Sequence, residues 1–243
     1  MMDSSATIPS TARSGRPCKR LTPSFWEHDW YVLRSLRSCI ESILTRDCLR
    51  EDARVVVDMG CGDSPYEPLF RQPKCRYLRG DLQGDVDFLI EPGRPVDLAD
   101  ASADGVVSFQ VLEHVWDLDW YLGECHRILK PGGWLLLSTH GTWPYHAHPT
   151  DFRRWTREGL MAELRQRHFA VERIESVVGP LAWTTQIRLL GIRHLLEALG
   201  TYGKITLRPV LLIMNLRMVL EDKLTPSAIR DENACVYVTL CRK

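Results

Sequence analysis

A short, continuous run of β-branched residues that ends in a glycine turn constrains the fold of this chain more than any other feature. The run is Arg54-Val55-Val56-Val57, and the turn that follows is Asp58-Met59-Gly60-Cys61-Gly62. A strand that is apolar on both faces is typical of the centre of a parallel sheet covered by helices on both sides. Glycines at its end let the backbone bend and let a ligand approach closely. The pattern therefore predicts an α/β fold with a ligand site where the first strand ends.

The rest of the chain alternates predicted strands with predicted helices. Apolar residues at three- and four-residue steps predict a helix over 25–49 and another over 118–129, which stops at Pro131-Gly132-Gly133. Strands separated by helices favour a mostly parallel, doubly wound sheet. The further predicted strands are 76–79, 86–90, 105–110, 134–139, 171–178 and 235–241, and the further helical segments are 156–168 and 181–224.

Length and composition indicate one globular domain. The chain has 243 residues, of which 44% are hydrophobic, so it can bury a core of ordinary size. We expect a single domain over 23–243 with an N-terminal helix and a helical insert, 181–224, between strands six and seven. Residues 1–22 are polar, and we expect them to form a disordered N-terminal tail.

Charge and cysteine usage limit the partners and the compartment. Lys plus Arg number 31 and Asp plus Glu number 31, so the chain has no overall attraction to nucleic acid, and no nucleic-acid partner is expected. The eight cysteines form no C-x-x-C pair, which favours free thiols in a reducing compartment. The longest apolar stretch, 210–220, is shorter than the roughly 20 residues of a spanning helix. We therefore expect a cytoplasmic protein.

The glycine turn differs from two common phosphate-binding turns. A dinucleotide fingerprint has a third glycine where this chain has Pro65, and no Gly-Lys-Ser/Thr of a P-loop follows. Asp81 lies 19 residues after Gly62, at the end of the predicted second strand, which is the spacing expected of a carboxylate that binds ribose hydroxyls. Asp58 can orient the turn or reach a ligand's ammonium group. A tight turn without a ligand is the alternative interpretation.

Two further motifs follow in a characteristic order. Leu112-Glu113-His114-Val115 comes after the predicted fourth strand, and Lys130-Pro131-Gly132-Gly133 precedes the fifth. Together with the glycine turn and Asp81, these motifs resemble class I S-adenosylmethionine-dependent methyltransferases over 53–169. The resemblance implies a Rossmann-like sheet of seven strands in the order 3-2-1-4-5-7-6, with an antiparallel seventh strand. It also implies S-adenosyl-L-methionine as the cofactor.

The resemblance further assigns residues to that cofactor. The glycine turn passes the methionine end, a carboxylate after the second strand holds the ribose, and the residue beside it packs on the adenine. An amide at the end of strand four flanks the sulfonium. The cofactor residues implied in this way are Asp58, Gly60, Cys61, Gly62, Asp81, Leu82 and Gln110.

Histidines follow strands four and five, where a methyl acceptor would lie. Methyl transfer needs an aligned acceptor and, for a hydroxyl acceptor, a base, a role that histidine fills near neutral pH. The segment 142–156 resembles the H-P-x-D-x-x-R-x-T stretch of a methyltransferase subgroup found with cell-surface polysaccharide or glycolipid genes. We predict catalytic roles for His114, His146, His148 and Asp151. The structural alternative pairs Asp151 with Arg154 and uses Thr156 as a helix cap.

No metal is predicted. In ubiquinone-type O-methyltransferases, which the Glu113-His114 turn resembles, acidic residues and a histidine at this turn are linked to a divalent ion. Gln110 stands in place of the outermost acid here. His146, His148 and Asp151 have zinc-like spacing, but no remote fourth ligand accompanies them.

The insert 181–224 is strongly apolar and also carries several basic residues. Three interpretations are open: additional core, a lid or homodimer face, and a surface for peripheral membrane contact with a lipid-linked substrate.

The resemblance implies a methyltransferase, and we expect O-methylation of a small-molecule, glycan-type or lipid-linked acceptor. A non-catalytic relative that keeps the fold as a binding or regulatory module is the alternative. The missing third glycine disfavours a nicotinamide oxidoreductase.

Overall fold

The computed structural model describes residues 19–48, 54–71, 73–147 and 149–243. Within these residues the strands form one sheet in the order β3-β2-β1-β4-β5-β7-β6. β7 runs antiparallel to both of its neighbours, and the other paired strands run parallel. The strands are β1 (Arg54–Met59), β2 (Cys75–Asp81), β3 (Phe88–Leu89), β4 (Ala103–Phe109), β5 (Leu129–His140), β6 (Ala170–Val177) and β7 (Val236–Arg242).

Helices cover both faces of the sheet. They are α1 (Trp30–Ile43), α2 (Leu118–Ile128), α3 (Arg157–Gln166), α4 (Pro180–Ala198), α5 (Gly200–Leu224) and α6 (Ser227–Glu232). On one face, Leu36 of α1 and Met218 of α5 share a buried cluster with Val56, and on the other face Leu122 of α2 shares one with Val57. Successive residues of a strand point to opposite faces, so the valine run of β1 contributes to both cores.

The predicted α/β class and the strand order are confirmed, while several element boundaries were wrong. The predicted third strand, 86–90, is only Phe88–Leu89, because β3 pairs with β2 at two positions. The N-terminal helix, predicted over 25–49, is α-helical only from Trp30 to Ile43 and then passes into a π-helical turn at Leu44–Cys48.

The predicted break at Pro131-Gly132-Gly133 lies inside β5. The last residue of the chain pairs with this segment: the Lys243 backbone N–H donates to the Gly133 carbonyl at 3.0 Å, and the Gly132 N–H donates to the Lys243 carbonyl at 3.3 Å. Pairing between distant parts of the chain therefore outweighs the local tendency of proline and glycine to end an element.

The insert is a hairpin of two helices, α4 and α5, joined at Gly200, which has a φ of +63°. Buried polar contacts fix it to the domain: the Asp222 carboxylate accepts from the Gly179 N–H at 2.7 Å and from the Tyr31 hydroxyl at 2.9 Å. No helix among the described residues is long and apolar enough to cross a membrane.

The predicted domain boundaries stay a prediction. Residues 1–18 of the predicted tail lie outside the described residues, and within 19–22 the Leu21 carbonyl accepts from Arg37 Nη1 at 2.9 Å.

Candidate functional site

The residues predicted to bind the cofactor and the acceptor meet at one edge of the sheet. β1, β2, β4 and β5 are parallel, so their C-terminal ends share this edge. The chain order reverses between β1 and β4, and in doubly wound sheets ligands bind in the crevice at such a reversal.

The glycine turn after β1 is held against β2. The backbone N–H groups of Gly60 and Cys61 both donate to the Gly80 carbonyl at 2.9 Å. Gly60 has a φ of +87°, and a Cβ there would lie 2.7 Å from the Val111 side chain. Only glycine fits at this position, because any side chain would meet both the strained backbone and Val111. Gly62 has a φ of +53° but faces open space.

Asp81 ends β2 beside this turn. Its Oδ2 accepts from the Gly62 N–H at 2.6 Å, and its Oδ1 accepts from the Leu82 N–H at 2.7 Å. These two contacts orient the carboxylate, while Leu82 leaves 48% of its side chain exposed next to it. The pair therefore offers a fixed acceptor for hydroxyl groups and an apolar surface for a flat ring.

Asp58 lies under the turn and is buried. The Tyr77 hydroxyl donates to its Oδ2 at 2.5 Å. Burial raises the pKa of Asp58 to about 7, with the Tyr77 hydrogen bond opposing the shift and Asp81 adding to it. Asp58 therefore supports the turn from below and changes its ionisation near neutral pH.

Gln110 and Cys61 complete the predicted cofactor residues. Gln110 has a φ of +58° at the end of β4, and its Nε2 donates to Ser138 Oγ at 3.0 Å. Its buried Oε1 has no hydrogen-bond partner among the described residues. Burial raises the pKa of the Cys61 thiol to about 12, which keeps it protonated and unreactive.

A second group of polar side chains lies beyond the ends of β4 and β5. Glu113 is fully buried: its Oε2 accepts from Thr139 Oγ1 at 2.8 Å, and its Oε1 lies 3.5 Å from His140 Nε2. Burial raises the pKa of Glu113 and lowers that of His140 well below its ordinary value, because the loss of water disfavours the charged form of each group. The His140 ring stacks on Trp143 at 5.2 Å between ring centroids.

His114 and His146 form the open side of this group. Their ring centroids are 4.9 Å apart, and that of His146 is 5.0 Å from that of His140. His114 Nδ1 lies 2.5 Å from the Thr150 carbonyl, and His146 Nδ1 lies 3.4 Å from Asp151 Oδ2. The loop that follows β5 thus fixes the positions of the two imidazole rings.

Asp151 and Arg154 hold that loop together. The Arg154 guanidinium donates to both oxygens of Asp151 and to the carbonyls of Trp143 and Pro144. Arg154 keeps the pKa of Asp151 well below its ordinary value. The Thr156 side chain accepts from the Gly159 N–H at 3.1 Å and caps α3. The structural alternative for Asp151 and Thr156 is therefore present, and Asp151 still contacts His146.

The structure brings together most of the predicted site, and it adds residues that the sequence did not reveal. His148 lies outside the described residues. Glu113, His140 and Trp143 were not assigned roles, because only the packing of β4 against β5 brings His140 and Trp143 beside His114 and His146 and buries Glu113 among them. Ligand atoms of Glu113, His114 and His146 lie within 4.8 Å of one another, a donor set that could hold a metal ion. The expectation of a metal-free site stays a prediction.

Comparisons with known proteins find similarity to methyltransferases. Residues 57–137 match a family model described as a methyltransferase domain. A probable S-adenosylmethionine-dependent methyltransferase of Mycolicibacterium smegmatis is 57% identical over 132 residues, which cover 50% of this chain and 49% of that protein. A probable methyltransferase of the same type from Mycobacterium tuberculosis is 52% identical over 42 residues, 17% of this chain and 15% of that protein. The chain thus matches about half, or less, of the length of these curated relatives.

Solved structures with low sequence identity share the fold. The [4+2]-cyclase SpnF has a TM-score of 0.57 at 18% identity, with 88% of this chain and 82% of that chain covered. Phosphoethanolamine N-methyltransferase 2 of Haemonchus contortus, solved with S-adenosyl-L-methionine, has a TM-score of 0.53 at 15% identity, with 90% and 56% covered. This chain therefore shares its fold with these structures, and residues 57–137 are similar to the methyltransferase domain family.

The residues at the sheet edge fit this cofactor. Asp81 presents a fixed carboxylate beside the exposed Leu82, and the buried Oε1 of Gln110 lacks a hydrogen-bond partner within the described part of the chain. Such a carboxylate suits ribose hydroxyls, and an unpaired amide oxygen suits a positively charged or N–H-bearing group.

Proposed function

We propose that this chain transfers a methyl group to an oxygen atom of a small-molecule or glycosyl acceptor, including lipid-linked ones. One observation carries the proposal: His114 and His146, backed by Glu113 and Asp151, lie at the same sheet edge as the glycine turn and Asp81. Binding groups for the cofactor thus stand beside groups that can handle a proton.

The chain's own residues divide the work between binding and proton transfer. When bound, the cofactor supplies an already activated methyl group on a sulfonium. Asp81 and Leu82 hold its nucleoside part, while Asp58 and the glycine turn support its methionine part. The remaining task is to align the acceptor and remove its proton.

His146 is the proposed base, with His148 as the second candidate. Asp151 Oδ2 lies 3.4 Å from His146 Nδ1, and an anionic carboxylate there favours a proton on Nδ1, which leaves Nε2 as the basic atom. Because Arg154 keeps Asp151 ionised, this orientation is maintained over a wide pH range. His114 lies against the other side of His146 and would bind the acceptor.

The cofactor part of the proposal is tested by calorimetry with S-adenosylhomocysteine. Asp81→Ala removes the carboxylate that we propose accepts hydrogen bonds from the ribose hydroxyls, together with its two charge-assisted hydrogen bonds to the turn. The affinity for S-adenosylhomocysteine is therefore expected to fall at least about tenfold. Asp231→Ala, an exposed acid of α6, is the control and is expected to keep the wild-type affinity. Absence of binding by the wild-type protein would refute the proposal.

The catalytic part is tested by transfer of isotope-labelled methyl groups to a panel of sugars, glycolipids and phenols. His146→Ala and His148→Ala are expected to lower turnover about 100-fold or more while the cofactor affinity is kept. His194→Ala, on the exposed side of α4, is the matched control. If both site variants keep full activity, the base assignment is wrong. Cofactor binding without transfer to any acceptor would favour the non-catalytic alternative.

A further inference from the structure

The outer side of α5 is an apolar surface that no described residue covers. Its exposed residues recur at steps of three and four, so they lie along one side of the helix. We call this row the apolar stripe; each member has between 39% and 67% of its surface exposed, and the members are Ile205, Leu212, Ile213, Leu216, Leu220 and Leu224. At about 1.5 Å per residue the stripe is roughly 30 Å long.

The apolar stripe is not the side of α5 that packs against the core of the domain. The opposite side of α5 packs inward, where Leu211, Met214 and Met218 are buried. Asn215 on that side donates to the Phe25 carbonyl at 2.6 Å, so the rotation of α5 about its axis is fixed. The apolar stripe is therefore held outward by contacts on the inner side.

Basic residues border the apolar stripe. At about 100° per residue, Arg208 and Arg217 stand on opposite sides of it, and Lys223 lies in line with it near its end. Residues 181–224 contain six Arg and Lys against three Asp and Glu, although the whole chain has a formal net charge of zero. The insert thus concentrates positive charge around an apolar surface.

The acids of the insert are engaged within the insert or with the adjoining core. Asp222 is buried against Tyr31, Glu221 pairs with Arg217 at 2.6 Å, and Glu197 pairs with Arg193 at 2.7 Å. The exposed Arg208 and Lys223 have no ion-pair partner within the described residues.

We propose that the apolar stripe and its flanking basic residues dock α5 onto an anionic phospholipid surface, parallel to the membrane plane. Aliphatic side chains enter the interface while Arg208 and Lys223, which have no ion-pair partner in the described residues, meet lipid phosphates. Charge complementarity selects this occupant over a second copy of the chain, since a two-fold contact through the stripe would bring together Arg208 and Lys223 of both copies, which have no ion-pair partner in the part of the chain that the structure describes.

The end of α5 is anchored at the C-terminal edge of the sheet. The Asp222 carboxylate, near the end of α5, accepts from the Gly179 N–H, which lies just after β6 at the same sheet edge as the glycine turn. This contact places the C-terminal end of α5 at the outer end of that edge, next to β6. The docking itself does not depend on methyl transfer.

The experiment is co-sedimentation of the full chain with extruded vesicles of phosphatidylcholine alone or mixed with phosphatidylglycerol. Binding is expected only with phosphatidylglycerol and is expected to weaken as salt is raised. The double variant Arg208→Gln/Lys223→Gln is expected to lower the partition coefficient roughly 25-fold, at about fivefold per basic residue. Arg76→Gln/Arg165→Gln removes two exposed basic residues elsewhere and is expected to change it less than twofold.

A second variant tests the apolar part. Ile213→Ser/Leu216→Ser/Leu220→Ser keeps the charges and is expected to abolish vesicle binding while the circular dichroism spectrum and the affinity for S-adenosylhomocysteine are kept. If this variant does not fold, the vesicle binding of the Arg208→Gln/Lys223→Gln variant alone tests the proposal. Equal binding to both vesicle types, or none, overturns the proposal. The proposal is also overturned if sedimentation velocity shows that the wild-type protein is a dimer and that the triple variant is a monomer.

Discussion

Asp58 is a carboxyl group that the fold keeps out of water, and replacing it with asparagine is expected to stabilise the domain at alkaline pH. An Asp has an ordinary pKa of 3.8, and burial raises that of Asp58 to about 7. The folded state therefore holds this proton more tightly than the unfolded chain does. Stability is expected to fall as the pH rises from about 4 to 7, because only the unfolded chain releases the proton freely in that window.

The magnitude follows from these two pKa values. Between pH 5 and pH 8 the contribution of Asp58 to the free energy of unfolding is expected to fall by about 2.5 kcal/mol. In the Asp58→Asn variant the amide side chain stays neutral at every pH and can still accept from the Tyr77 hydroxyl. Between pH 5 and pH 8 the variant should therefore gain stability relative to wild type by that amount, seen as a larger difference between their free energies of unfolding.

Urea unfolding at pH 5 and pH 8 measures this difference. All other titratable groups are the same in the two proteins, so their contributions to the pH dependence of unfolding cancel when the variant is compared with wild type. Asp63→Asn changes an exposed carboxyl in the same turn and is the matched control, with no pH-dependent gain expected. A change below about 1 kcal/mol between the two pH values would show that Asp58 is already ionised in the fold, and the reasoning from burial would be wrong.

Three further predictions follow from the same edge of the sheet. Gly60→Ala is expected to cost about 2 kcal/mol in urea unfolding and to weaken S-adenosylhomocysteine binding, since its Cβ would lie 2.7 Å from Val111. Gly62→Ala has open space around it and should cost about 1 kcal/mol, so equal losses would contradict the steric argument. Arg154→Ala removes the bidentate partner of Asp151, whose side chain is 2% exposed, and is expected to cost about 3 kcal/mol at pH 7. Because Arg154 lowers the pKa of Asp151, this loss should shrink as the pH falls below the ordinary pKa of a carboxyl, and a loss that persists unchanged at pH 3 would refute the ion-pair explanation.

The arrangement of the residues that we propose to bind the cofactor could be predicted from sequence because these residues are close along the chain. The turn at Gly60 and Gly62 directly follows β1, and Asp81 ends the next strand, to which β1 pairs. Local spacing and a single strand pairing were enough to place them together. The contacts of Asp81 with Gly62 and Leu82 follow from this pairing.

The arrangement of the proposed acceptor residues depends on contacts that local patterns do not encode. Glu113 comes from the turn after β4, His140 from the end of β5, and His146 from the loop beyond it. Their rings and carboxylate meet only because β4 and β5 are neighbours and the loop is folded back by Arg154. Periodicity gave no signal for a buried glutamate, because charged residues are ordinarily exposed.

By itself, the sequence determined the α/β class, the order of the elements and the glycine turn, since hydrophobic periodicity and backbone preference act over a few residues. Only the tertiary structure decided which polar groups are buried together, how far the pKa of Asp58 is raised and which side of α5 faces outward. Those properties arise from burial and from contacts between distant segments, where the loss of water and the presence of a neighbour set the energy of each group.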